Sequence, residues 1–190
     1  MFELPKHVTI DGIDYVIRSD YRVIIDIEKR NGLPDEDFMH YALKTFYYVI
    51  PSDINEAVRF LFRFLQCNKA PSQNGGGKGA KSRVFDFEHD ADLFQAAFLA
   101  QYGVNLCAVP YLHWFEFMAM FRGLRDDCTL CKVMQYRGAD LNGMGKEQKA
   151  FYGKMKLLHK LPETEAETQR KLLAKMAFDS GDVSYLMGGK

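Results

Sequence analysis

The sequence predicts a mainly α-helical fold of about seven to eight helices with a small β-hairpin at its N-terminal end. Three observations predict it. Apolar residues recur three and four apart through most of the 190-residue chain, the spacing that lines one face of a helix. Serine, threonine or aspartate precedes many of these runs and glycine or proline follows, as helix starts and stops require. Alternation of apolar and polar residues marks a single short stretch near the start. An apolar fraction of 47%, 14% of the chain being aromatic, supplies a core built largely of rings.

Val8-Thr9-Ile10 and Ile13–Ile17 alternate around Asp11-Gly12, a dipeptide suited to the two-residue turn whose central residues take positive φ. Ser19 or Asp20 caps a first helix over Tyr21–Asn31, and Gly32 stops it. A second spans Asp35–Val49 between Pro34 and Pro51, with Phe38, Tyr41, Ala42, Thr45 and Val49 inward. Asp53-x-x-Glu56 has the capping-box pattern and opens a third, with Ile54, Val58, Leu61 and Leu65 on one face. The run Asn68–Ser82 has nothing apolar larger than alanine or proline and reads as a flexible linker. Beyond it, Phe87, Ala91, Phe94, Phe98 and Tyr102 define a helix ended by Gly103. Pro110 opens the next, Tyr111–Phe121, apolar all round except for His113 and Glu116.

A short helix over Thr129–Arg137 stops at Gly138, and a basic one runs from Lys146 to Lys160 before Pro162. Thr164-x-x-Glu167 caps a last helix with Leu172, Leu173 and Met176 inward. The expected organisation is a hairpin with helices over residues 1–67, a linker over 68–83, a helical part over 84–178 sharing one core with the first, and a frayed tail over 179–190.

Lysine plus arginine (25) equals aspartate plus glutamate (25). Zero net charge argues against nucleic acid as the main partner, because phosphate binding draws on surplus positive charge. It also leaves little repulsion between copies and suits a protein that associates. Met1–Ile10 lacks the basic start and apolar run of a secretory signal, and no apolar stretch approaches the ~20 residues needed to span a bilayer. Cys67, Cys107, Cys128 and Cys131 have no disulfide-framework spacing, so reduced thiols in a cytoplasm are expected.

Several motifs imitate chemistry. Gly75-Gly-Gly-Lys-Gly-Ala80-Lys81-Ser82 departs from a phosphate-binding P-loop by alanine in place of the last glycine. That loop needs a buried strand feeding it, whereas a helix and a polar run precede this one, so a glycine-rich linker is the simpler account. Cys128-x-x-Cys131 lacks the second ligand pair a zinc site requires and reads as buried free thiols. His113 and Glu116 lie three apart in an apolar helix and read as a paired polar notch. Asp86, Glu88, Asp90 and Asp92 sit in the first turns of a helix, where the macrodipole favours negative charge. No nucleophile-and-base arrangement occurs, so no catalytic residue, metal ligand or cofactor is assigned. Lys146, Lys149, Lys156 and Lys160 fall on one face of their helix, with Phe151, Met155 and Leu158 nearer the other.

The stretches FDFEHDADLFQAAFLAQYGVNL (Phe85–Leu106), YLHWFEFMAMFRGL (Tyr111–Leu124), KVMQYRGADL (Lys132–Leu141) and KAFYGKMKLLHKLP (Lys149–Pro162) resemble the bacteriophage gp-fifteen family of siphophages. The likeness covers about residues 5–175, and the Leu-His-Trp block is its most specific part. Phe115 stands where the family has a second tryptophan, and Gly153 where it usually has a charge. The resemblance implies a non-enzymatic tail assembly chaperone in the host cytoplasm. Its gene would lie just before that of the tape-measure protein, which it would hold while self-associating; a minor tail component retained in the virion is the alternative. Tyr111, Trp114, Phe117, Met118 and Phe121 are the candidate apolar contacts, and Lys146, Lys149, Lys156 and Lys160 the steering charges.

Overall fold

A computed structural model describes residues 4–30, 35–68 and 83–164, together with Thr168, Leu172 and Lys175. Strands β1 (His7–Ile10) and β2 (Ile13–Val16) form the expected antiparallel hairpin, His7 pairing with Val16 and Ile10 with Ile13. Asp11 and Gly12 both take positive φ, as the tight turn demands. Seven helices follow among the described residues: α1 (Tyr21–Lys29), α2 (Asp35–Phe46), α3 (Ile54–Leu65), α4 (Ala91–Tyr102), α5 (Trp114–Arg122), α6 (Thr129–Gly138) and α7 (Lys146–Leu158). The mainly helical fold with its small hairpin is therefore as the sequence predicts. The glycine-rich run and almost all of the helix expected after Thr164 lie outside the described residues, although Thr168, Leu172 and Lys175 are helical.

Side-chain caps set several of these starts. Asp20 accepts the amide of Arg22 at 3.0 Å and opens α1, and Asp53 accepts that of Glu56 at 3.0 Å and opens α3. Gly103 ends α4 in the left-handed conformation at φ 67°.

The helix expected to include Phe87 starts later, at Ala91, with Phe87–Asp90 in a turn before it, and two other boundaries differ for one reason: backbone pairing with the continuation of β2. Arg18 N donates to Phe46 O at 2.8 Å and Tyr48 N to Val16 O at 3.2 Å, so the chain leaves α2 at Phe46 and runs beside β2 instead of helically to Val49. On the opposite edge, Tyr21 N donates to Leu112 O and Trp114 N to Ser19 O, which holds Tyr111–His113 out of α5. Val49 is consequently exposed, not inward.

His113 and Glu116 form the cap of α5 in place of a mid-helix notch. His113 Nδ1 accepts Phe115 N at 3.0 Å, and Glu116 accepts His113 N at 3.4 Å. His113 is fully buried, with Nε2 3.0 Å from the carbonyl of Pro5. Nε2 thus donates, and the network assigns the neutral Nε2–H tautomer. Burial holds its pKa below the ordinary histidine value, the Pro5 carbonyl acting in the opposite sense. As pH falls below about 6.5 the unfolded chain takes up this proton before the folded one. The stabilisation is therefore complete above that value and lost as pH falls through the lower folded value. The thermal midpoint should decline as pH falls below about 6.5, and His113→Asn, which keeps a capping acceptor, should flatten that decline. The same decline in both proteins would refute the assignment.

One core joins the hairpin and α1–α3 to α4–α6. Phe117 is its hub: the ring stacks on Tyr21 at 4.8 Å, Phe98 at 5.0 Å and Trp114 at 5.7 Å between centroids. Phe46, Phe64 and Tyr47 build the adjoining part, where the Tyr47 hydroxyl donates to Ala57 O at 2.9 Å. A buried ion pair lies at the far side. Arg137 contacts both oxygens of Asp90, at 2.6 and 2.8 Å, and also donates to Val84 O and His159 O. Burial raises the Asp90 carboxyl, but the Arg137 hydrogen bonds and charge overcome it and hold the group below the ordinary carboxylate value.

Candidate partner-binding surfaces

The aromatic residues picked from the sequence separate by depth. Trp114 and Phe117 belong to the core, and Trp114 Nε1 donates to Leu65 O at 3.1 Å. Both are thereby corrected: neither presents a surface to a partner, because the hub ring and its neighbours enclose them. Met118 and Phe121 are half-buried against the core, Phe121 packing edge-on to Phe85 at 5.1 Å. Tyr111 alone is exposed, since pairing at residues 112–114 keeps it outside α5.

The lysine face is likewise divided. Lys156 is half-buried and donates to Ala139 O at 2.7 Å, and Lys160, beyond the end of α7, pairs with Glu163 at 3.6 Å. Lys146 and Lys149 are exposed. Of the residues on the face away from the lysines, Met155 is half-buried while Phe151 and Leu158 are exposed, Leu158 at 68% and its neighbour Leu157 at 76%. The reason is that α7 is peripheral. It leans on α6, where Tyr136 meets Tyr152 and Phe151, and among the described residues no second helix covers its outer side.

A second group of exposed apolar side chains lies beside the hairpin. Val16 is 56% and Tyr48 61% exposed, and Val49, Ile50 and Ile54, which follow Tyr48 in sequence, are exposed as well. Val16, Tyr48 and Tyr111 line one open groove of about 350 Å³ with Lys6, Arg18 and Val23. Sequence reading missed it by assigning Tyr48 and Val49 to a helix. The available signal was the apolar run Tyr48-Val49-Ile50 directly before Pro51, which a helix end does not need.

Cys128 and Cys131 are half-buried free thiols at the start of α6, the Cys128 sulfur accepting Cys131 N at 3.3 Å. Burial, with the neighbouring Cys128 thiol adding to it, pushes Cys131 up to about 11, which keeps it protonated at neutral pH. Among the described residues no group of three or more His, Cys, Asp or Glu could hold a metal ion, and no helix is long and apolar enough to cross a membrane. The P-loop-like run lies outside the described residues.

No curated protein and no solved structure matches the chain. A family model, described as Bacteriophage Gp15 protein, matches residues 2–161. That span takes in the hairpin, the groove beside it and all seven described helices, and the chain therefore belongs to the bacteriophage Gp15 protein family.

Proposed function

We propose that this phage protein is a non-enzymatic tail assembly chaperone that works in the host cytoplasm without a cofactor, self-associates, and holds the tape-measure protein through apolar contacts. The carrying observation is the concentration of large exposed apolar side chains beside the hairpin and along the outer side of α7. Contiguous exposed apolar patches are the usual mark of protein-binding surfaces. Family membership supports the phage setting. Lys146 and Lys149, the exposed remainder of the lysine face, add charges that steer an acidic partner.

Co-expression with the tape-measure protein and pull-down at low and high salt tests this. Capture is expected in both conditions, with faster association at low salt because exposed charges are screened within about 8–10 Å. Mass spectrometry of purified particles should find the tape-measure protein and lack this chain. Its presence there at structural stoichiometry would make it a minor tail component instead.

A further inference from the structure

The groove beside the hairpin combines three features that a merely uncovered apolar face does not. Two exposed tyrosines stand in its lining, Tyr48 and Tyr111, from segments 63 residues apart that are held in place by backbone pairing to either edge of the β2 continuation. Each carries a cation: the Arg18 guanidinium lies 4.1 Å from the Tyr48 ring centroid, and the Lys6 ammonium 5.1 Å from that of Tyr111. Val16 and Val23 supply aliphatic surface between them.

The cations are positioned, and among the described residues neither meets a carboxylate. Arg18 uses Nη1 on the carbonyls of Lys44, Thr45 and Tyr47, at 3.1, 3.1 and 2.6 Å, which secures the side chain against the end of α2. Among the described residues its Nε and Nη2 donate to nothing, and Lys6 has no carboxylate partner. Among the described residues the one acid in the lining is Asp20, already held by Arg22 Nε and Nη2, both at 2.8 Å. Among the described residues the groove therefore has spare positive charge beside apolar surface, in a protein whose net charge is zero.

We infer that this groove docks a segment of a partner protein that carries carboxylates alongside apolar side chains, the carboxylates meeting Lys6 and Arg18 and the apolar groups meeting Val16, Tyr48 and Tyr111. A second copy of this chain is the poorer fit, because a two-fold contact here would bring Lys6 and Arg18 against their own equivalents, and like charges set together oppose association. The inference rests on the proposed function for the choice of probe, the tape-measure protein.

The experiment compares capture of purified tape-measure protein by the full chain and by Val16→Ser, Tyr48→Ser and Lys6→Glu, with Leu99→Ser, an exposed apolar position on α4, as control. All four side chains are solvent-exposed, and thermal unfolding of each variant confirms the fold. Val16→Ser and Tyr48→Ser should each lower affinity at least about 10-fold, as loss of an anchoring side chain does. Lys6→Glu should slow association and flatten its salt dependence, while Leu99→Ser matches the parent. Groove variants that capture as well as the parent overturn the groove and leave the proposed function standing. A parent chain that captures nothing overturns both. A parent dimer that Tyr48→Ser converts to monomer assigns the groove to a second copy and overturns the inference in that way.

Discussion

Replacing Arg137 by alanine is expected to destabilise the protein by about 3–5 kcal/mol, because it strands the buried Asp90 carboxylate without its partner. The same change removes the donors to Val84 O and His159 O. Arg137 thus ties together the chain entering α4, the start of α4, α6 and the residue after α7. For a chain of this size the loss corresponds to a fall of roughly 6–20 °C in thermal midpoint, measured by calorimetry or circular dichroism. Asp90→Asn should also be costly, and Asp90→Asn with Arg137→Met should cost less than the sum of the two, since the pair acts as one unit. The acid response has its own window. Asp90 titrates lower in the folded protein than its ordinary value of 3.8. Its contribution is present above that value and is lost as pH falls through the lower folded one, well below the range in which His113 acts. Additive single costs would show that the two side chains serve the core separately.

Phe117→Ala is expected to cost about 3–5 kcal/mol, the usual range for deleting a buried phenylalanine ring. Four rings face Phe117 from three other elements: Tyr21 from α1, Phe94 and Phe98 from α4, and Phe87 from the turn before α4; Trp114 stacks on it from within α5. Their arrangement leaves little room for collapse, so most of the cavity should persist. Phe117→Leu should recover part of the loss. Denaturant titration checks both: the midpoint falls while the slope stays near that of the parent, provided unfolding remains two-state. Phe121→Ala, at a half-buried position, should cost clearly less. A smaller effect at Phe117 than at Phe121 would mean that the hub has been misplaced.

The helical fold was legible because its signals are local. The turn residues Asp11-Gly12, the caps Asp20 and Asp53, the stop at Gly103 and the spacing of Phe94 and Phe98 each act over a few residues, and all hold in the structure. The Leu-His-Trp block and its companion stretches likewise sufficed for the family. Tertiary structure decided what local spacing leaves open. Trp114, Phe117 and Tyr111 are all aromatic and near neighbours, yet two became core and one stayed exposed, because residues 112–114 pair with the β2 continuation and delay α5. Tyr48 left its helix through the same kind of pairing. Arg137 follows Leu130 and Val133 on the buried stripe of α6, a placement readable as a polar residue inside; that Asp90 would meet it depends on α4 packing against α6. Phe151 and Leu158 gave α7 an apolar side by periodicity, but periodicity cannot supply a neighbour to cover it. Local sequence set which elements form, and long-range packing set which of their faces are left for a partner, since burial depends on what the rest of the chain brings alongside.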